Sequence, residues 1–145
     1  MRYLFIYFIV FFLGSLSAQV TAPALRCLRV INNSGDLEIT WLPAVDPQSQ
    51  FFGYEIFVAN NRLGPYSSVS ATAGAISNTQ YVHTTTVTNV QSVYVYMRSL
   101  FGTAGLNSSS NSDTLQSMFL NINVSTADAY KLSYNAPHLP LLGTY

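Results

Sequence analysis

Two histidines and one cysteine are the residues of this sequence whose side chains could hold a metal ion or attack a substrate. His83 lies in a threonine-rich segment and His138 lies between two prolines, and neither has a carboxylate at metal-site spacing. Cys27 occupies an apolar segment and could act as a nucleophile only if a histidine converged on it. We therefore interpret Cys27 as a small buried hydrophobic residue and predict no catalytic residue, no metal site and no cofactor.

Carboxylates offer the remaining route to enzymatic chemistry, because a glycosidase needs two of them about 5–9.5 Å apart across a cleft. Asp36 and Glu38 alternate with apolar residues in the segment 35–41. Side chains alternate between the two faces of a strand, so both carboxylates should point away from the core, on a sheet surface without a pocket. The pattern is typical of a solvated strand face, and we predict that the chain is not an enzyme.

The amino-acid composition excludes one class of binding partner and one source of stability. Charged residues make up 8% of the 145 residues, and six basic residues balance six acidic ones. The chain therefore lacks the basic surface that binds nucleic acid. A single cysteine excludes an internal disulfide framework, so stability must come from packing.

The first eighteen residues have the three parts of a secretory signal peptide. A basic start, Met1-Arg2, precedes an unbroken apolar run over residues 3–13 and small residues over 14–18. Eleven apolar residues are too few for a membrane span, which needs about 20. We predict cleavage after Ser17 or Ala18, a secreted or cell-surface location, and no stable membrane span afterwards.

The elements that follow are short strands separated by turn residues. In residues 36–41, Leu37, Ile39 and Trp41 alternate with polar residues, so one face should pack into a core with Trp41 as its largest side chain. Residues 53–59 and 92–99 show the same alternation, and turn signals recur throughout. The sequence predicts an all-β protein.

A second copy of the central strand comes near the end of the chain. Leu132 and Tyr134 stand 93 positions after Ile39 and Trp41, a spacing typical of one sandwich domain repeated in tandem. We expect the second copy to occupy residues 114–145 and to be incomplete. Its strand would have no second sheet to cover it, and residues 115–122 could instead serve as the last strand of the first domain.

Several motifs together resemble a fibronectin type III domain: residues 35–41, Gly53-Tyr54-Glu55-Ile56, Gly64-Pro65-Tyr66 and the strand 93–99. The loop at Asp46-Pro47 and the segments 112–115 and 136–138 are similar to tandem modules in exported surface proteins of Bacteroidetes-type bacteria. The resemblance implies an immunoglobulin-like Greek-key sandwich of two antiparallel sheets over residues 22–113, followed by a truncated second copy. It also implies that Glu55 lies on the sheet opposite Asp36 and Glu38. The Arg-Gly-Asp loop that marks the integrin-binding members of the family is absent.

The same topology makes strands 53–59 and 92–99 antiparallel neighbours and predicts an outward aromatic surface. If Glu55 lies opposite Arg98, then Phe57 meets Tyr96, and Tyr94 follows two positions along. Phe57, Tyr94 and Tyr96 are therefore the candidate partner-binding residues. Tyrosine pairs on a solvated strand face are the alternative interpretation.

The function that the sequence favours is a non-catalytic structural or spacer module of a larger exported protein. Its partners would be the neighbouring domains of that protein. The alternative is an adhesion module that binds a protein or a polysaccharide and is accessory to a surface enzyme.

Overall fold

The computed structural model describes residues 19–126 and 129–134, most of which lie in strands. The predicted signal peptide, residues 1–18, lies outside the described residues, as does His138. Two short 3-10 turns, Val87–Asn89 and Thr103–Gly105, separate some of the strands. The strands of the described residues are β1 (Ala24–Val30), β2 (Leu37–Leu42), β3 (Phe51–Ala59), β4 (Ser67–Ala73), β5 (Gln80–His83), β6 (Tyr94–Phe101), β7 (Asn107–Ser108), β8 (Leu115–Gln116), β9 (Leu120–Thr126) and β10 (Ala129–Tyr134).

These strands form two main antiparallel sheets and one small sheet near the end of the chain. The first sheet has the order β1-β2-β5, and the second has the order β4-β3-β6-β7, with β8 also paired to β6. β9 and β10 form the small sheet. Buried side chains from both main sheets belong to one hydrophobic cluster, so these sheets pack as a β-sandwich. The prediction of an all-β protein built from antiparallel sheets is confirmed.

β2 supplies the centre of the core. Leu37 and Ile39 are completely buried and Trp41 is 5% exposed, whereas Glu38 between them lies on the outer face and is half-buried. The Trp41 ring meets the Tyr54 ring of the opposite sheet edge to face, with centroids 5.3 Å apart. The prediction that Trp41 packs with the core is confirmed.

β6 contributes the matching inner face of the second sheet. Val95 and Met97 are completely buried, and so is Ser99, whose hydroxyl donates a hydrogen bond to the Thr21 carbonyl at 2.8 Å. The Ser99 backbone N–H donates to the Ser109 hydroxyl at 3.0 Å. Because a buried polar group must find a partner, these bonds fix the segment before β1 and the segment after β7 against β6.

The prediction that Cys27 is buried is wrong. The β1–β2 ladder contains a bulge, so that Leu25 pairs with Trp41 while Cys27 pairs with the adjacent Thr40. One extra residue in a strand reverses the alternation of the side chains that follow it. Leu25 and Leu28 therefore face the core, and Cys27 is exposed.

The chain remains part of the sandwich beyond residue 113, the predicted end of the first domain. Leu115 is 4% exposed and belongs to the core cluster. The Ser117 hydroxyl accepts a hydrogen bond from the Val93 backbone N–H at 2.9 Å, and the Ser117 N–H donates to the Val93 carbonyl at 2.8 Å. Leu115 and Gln116 thus pair with β6 as a short final strand. The expectation that residues 115–122 form this strand is right for its start and wrong for its end, because residues 120–122 pair with β10 instead.

β9 and β10 form an antiparallel hairpin with its own sheet. Tyr134 at the end of β10 is 69% exposed, which agrees with the expectation that no second sheet covers it. The side chains of Tyr130 and Leu132, and all of residues 135–145, lie outside the described residues.

Candidate partner-binding surface

The outward faces of β3 and β6 meet in the register that the charges predict. β3 and β6 are antiparallel neighbours in the second sheet, and a register shift occurs only at the start of β3, between Phe51 and Gly53. The directly opposed pairs on this face are Glu55 with Arg98, Phe57 with Tyr96, and Ala59 with Tyr94. This predicted register is confirmed. We call Phe57, Tyr94 and Tyr96 the aromatic strip.

Two members of the aromatic strip are in direct contact. The rings of Phe57 and Tyr96 are stacked, with centroids 4.7 Å apart and planes inclined by 14°. Both side chains are half-buried, because each covers part of the other. Such a pair is a normal means of stabilising adjacent strands as well as a flat surface for a partner.

An ion pair borders this stack on one side. The guanidinium of Arg98 contacts a Glu55 carboxylate oxygen through Nε and through a terminal nitrogen, each at 2.7 Å. The central carbon of this guanidinium lies 5.0 Å from the centre of the Phe57 ring, within the range of a cation–π contact. The two charges neutralise each other, so this ion pair adds no net charge beside the Phe57–Tyr96 stack.

Tyr66 joins the surface from the segment before β4, and the sequence interpretation did not include it among the candidate residues. Its ring lies 4.8 Å from that of Tyr96 at 60°, and its hydroxyl donates a hydrogen bond to the Arg62 carbonyl at 2.9 Å. Burial raises the pKa of Tyr66, and a hydrogen bond with the Thr114 side chain partly offsets the rise. The sequence signal for the position of Tyr66 is the turn at Gly64-Pro65, because this turn brings the chain back alongside β3.

Tyr94 stands apart from the stack, at a small polar notch. The notch has a volume of about 110 Å³ and is lined by Arg62, Tyr94, Thr114 and Gln116. Tyr94 also lies near enough to Tyr66 to contribute to the raised pKa of Tyr66. The structure therefore brings Phe57 and Tyr96 together and places Tyr94 at the edge of the same face.

Two of the residues considered for chemistry, Glu38 and His83, lie on the first sheet, away from the aromatic strip. Glu38 pairs with Arg29 at 2.6 Å on the outer face of the first sheet and accepts a hydrogen bond from the Gln80 amide. His83 is half-buried on β5, and burial lowers its pKa while Asp36 acts in the opposite direction. Among the described residues, no three His, Cys, Asp or Glu side chains are grouped to hold a metal ion.

Residues 19–126 and 129–134 also include no helix long and apolar enough to cross a bilayer.

Comparison with known proteins identifies a similar fold. No protein-family model matches the chain, and no curated protein matches it in sequence. Among solved structures, the chain is similar to a β-1,2-glucanase from Parabacteroides distasonis, with a TM-score of 0.53 and 18% sequence identity. The match covers 69% of this chain and 12% of the glucanase chain. The chain thus shares its fold with a small part of a much longer protein.

Proposed function

We propose that this chain is a non-catalytic fibronectin type III-like module of a larger exported protein, where it spaces or presents neighbouring domains. The observation that carries the proposal is that the likeness covers 69% of this chain but only 12% of a longer one, so a fold of this kind also occurs as a small part of a longer protein. Domains of this kind form their own core and connect to neighbours through few contacts. The secretory signal predicted for residues 1–18 supports an extracellular location.

The order of the strands supports the family assignment. The chain passes from one main sheet to the other after β2, after β4 and after β5. Such crossings join antiparallel strands in the Greek-key manner of immunoglobulin-like sandwiches. One sheet holds the first, second and fifth strands, and the other holds the third, fourth and sixth.

The pairing of the last two strands supports a second, partial copy. Ile39 of β2 pairs with Leu28 of β1, and Leu132, which is 93 positions after Ile39, pairs with Ile122 of β9. Both copies would thus begin with an antiparallel hairpin in which the second strand carries the repeated pattern. A tandem arrangement is what a spacer requires, because identical modules extend a chain without adding chemistry.

The test is the size and location of the native protein. Antibodies raised against the sandwich should detect, in intact cells, a surface-exposed and protease-accessible species much larger than the 16.0 kDa of this chain. N-terminal sequencing of that species should begin close to residue 18. Detection of an unprocessed protein confined to the cytoplasm would contradict the proposal.

A second candidate function, adhesion, is favoured by the aromatic strip. Stacked, uncharged rings on a sheet face can anchor a protein contact or stack against sugar rings. The test replaces Phe57, Tyr94 and Tyr96 with serine together and measures retention on bacterial polysaccharides and on neighbouring domains of the parent protein. The adhesion function predicts that the native chain is retained and the variant is not.

A matched control uses three exposed apolar residues of the first sheet. Val30, Leu42 and Val82 are 36%, 45% and 42% exposed, and their joint replacement by serine should leave retention unchanged. If the native chain and both triple variants behave alike, the aromatic strip serves packing only and the adhesion function is excluded.

A further inference from the structure

The aromatic strip and the notch lie where the last strand of the sandwich ends. Gln116 of β8 pairs with Tyr94 and lines the notch beside it. The ring of Tyr66 lies against the ring of Tyr96, which in turn stacks on Phe57. One end of this surface therefore combines aromatic rings with a recess of about 110 Å³.

The sequence beyond the described residues contains two prolines three positions apart. They belong to Pro137-His138-Leu139-Pro140, which we call the proline segment. A proline fixes its own φ near −65° and favours an extended conformation in the residue before it, so the sequence predicts a polyproline II helix here. This helix has three residues per turn and no internal hydrogen bonds. Both prolines therefore share one face, and the backbone carbonyls are free to accept hydrogen bonds from a partner.

The β9–β10 hairpin brings the chain back towards the notch. Leu120 comes four residues after Gln116, and Tyr134 at the end of β10 pairs with Leu120. Four extended residues span at most about 14 Å and paired strands lie about 5 Å apart, so Tyr134 lies within about 19 Å of Gln116. Pro140 comes six residues after Tyr134, which is a reach of about 20 Å in extended chain. The linking residues are therefore long enough to bring Pro140 to the notch.

We propose that the proline segment of this chain docks on the aromatic strip, with one proline ring in the notch beside Tyr94. Polyproline II segments bind surfaces that are lined by aromatic side chains. A cavity of about 150 Å³ holds a benzene ring, so the smaller notch suits the five-membered ring of a proline. The side chains of Arg62 and Tyr94 supply N–H and O–H donors for the free carbonyls of the segment.

Charge and tethering both favour this occupant. Residues 135–145 contain no Asp, Glu, Lys or Arg, and the ion pair beside the stacked rings adds no net charge to the surface. Arg62 is exposed, so its guanidinium stays hydrated and requires no acidic partner. A short linker holds a tethered segment at an effective concentration on the order of millimolar. Weak contacts are therefore enough to keep the proline segment docked.

The proposal rests on the surface of the second candidate function and names an occupant for it. A docked proline segment would cover the aromatic strip, so retention of an external partner should rise when the two prolines are replaced. Failure of every external partner to bind would exclude adhesion and leave the docking unaffected. Absence of docking, in contrast, would leave adhesion to be judged by the retention assay alone.

A spin label placed beyond the proline segment reports docking in the full chain. Gly143→Cys in a Cys27→Ser background provides a single thiol three residues after Pro140. The attached nitroxide should broaden the backbone amide signals of Tyr94 and Tyr96 more than that of Glu38 on the first sheet. Dilution should not change this broadening. A mixture of spin-labelled chain and isotope-labelled chain without a nitroxide should show none.

Two double variants of the spin-labelled chain make a matched pair. Pro137→Ala with Pro140→Ala should abolish the broadening, because the polyproline II conformation and both rings are lost. Pro43→Ala with Pro47→Ala should preserve it, because these two prolines are exposed in the segment between β2 and β3.

A fluorescent peptide of residues 135–142 measures the affinity. It should bind the chain that carries Pro137→Ala and Pro140→Ala with a dissociation constant below about 1 mM, since only then does the tethered segment stay docked. The triple serine variant of the aromatic strip should bind it at least tenfold more weakly. The triple serine variant of Val30, Leu42 and Val82 should bind it equally well, and dispersed amide spectra should confirm that both variants fold.

Four results overturn the proposal. The nitroxide could broaden no signal of the aromatic strip, or broaden it only between different chains. Replacement of Pro137 and Pro140 could leave the broadening unchanged. The triple serine variant of the aromatic strip could bind the peptide as well as the native strip does.

Discussion

The ring of Phe57 stacks on the ring of Tyr96 across the β3–β6 ladder, with the centroids 4.7 Å apart and the planes inclined by 14°. The two residues therefore bury part of each other's surface before any partner arrives. Substitutions in this pair should change the stability of the sandwich as well as any binding. Stability must be measured alongside retention, because a binding assay alone would not separate the two effects.

A double-mutant cycle on this pair measures the contact itself. Phe57→Ala, Tyr96→Ala and the double variant should give a coupling energy of about 0.5–1.5 kcal/mol, the range for stacked aromatic pairs. Chemical denaturation provides the free energies of unfolding. The control cycle combines Phe57→Ala with Val82→Ala on the opposite sheet and should show coupling below about 0.5 kcal/mol. Equal coupling in the two cycles would mean that the stack contributes nothing specific.

Replacement of Trp41 by alanine should cost about 3–5 kcal/mol, because the ring is 5% exposed and its removal leaves a large void. Equilibrium denaturation measures the loss. Tyr134→Ala, at a side chain 69% exposed, is the control and should change stability by no more than about 0.5 kcal/mol. A loss below about 1 kcal/mol for Trp41→Ala would show that the ring is not a core anchor.

His83 should make the sandwich less stable as the solution becomes mildly acidic. Burial lowers its pKa below the usual 6.5 in the folded chain, with Asp36 partly opposing, so the unfolded chain binds the proton more tightly. Stability is therefore unaffected by His83 above pH 6.5 and falls as the pH drops from 6.5 through the folded pKa. His83→Gln should flatten the stability profile in that window, and an imidazole titration at or above 6.5 in the folded chain would contradict the prediction.

The exposed thiol of Cys27 should react with a thiol reagent in the folded protein nearly as fast as in the unfolded one. A buried reference is made by Val95→Cys in a Cys27→Ser background, since Val95 is completely buried. The reference thiol should react only when the sandwich opens. Slow labelling of Cys27 under native conditions would show that the bulge in β1 does not persist in solution.

Trypsin should cut after Lys131, in the β9–β10 hairpin, before it cuts after Arg98, in the centre of the second sheet. A two-stranded sheet on its own is marginally stable in water, and Lys131, the only lysine, lies in β10. Arg98, in contrast, lies in β6 with strands paired on both sides. Mass spectrometry of early digests should show cleavage after Lys131 while the bond after Arg98 remains intact. Equal rates at the two sites would mean that the hairpin is as protected as the core.

The register of the candidate surface was predictable because it depends on short-range rules. The alternation of side chains fixes which residues of β3 and β6 face outward. One favourable charge pair, Glu55 with Arg98, then fixes the register between the two strands. Once that pair is set, the contact between Phe57 and Tyr96 follows.

Tyr66 and Leu115 were harder to place, because their positions depend on chain reversals. Tyr66 reaches Tyr96 only because the turn before β4 brings it back alongside β3. Leu115 packs into the core only because the segment after β7 returns to pair with Val95. Neither contact has a periodic signal, since each joins residues that are distant in sequence.

The sequence by itself determined the all-β class, the inward face of β2 and the burial of Trp41, because a period of two is a local property of each strand. Only the tertiary structure decided the exposure of Cys27 and the cavity beside Trp41. The first depends on a bulge that forms when β1 is paired against β2, and alternation within β1 cannot reveal the extra residue. The second depends on small residues from β4 and its following loop meeting β5 between the two main sheets. Packing between sheets creates or fills such a space, and no single strand encodes it.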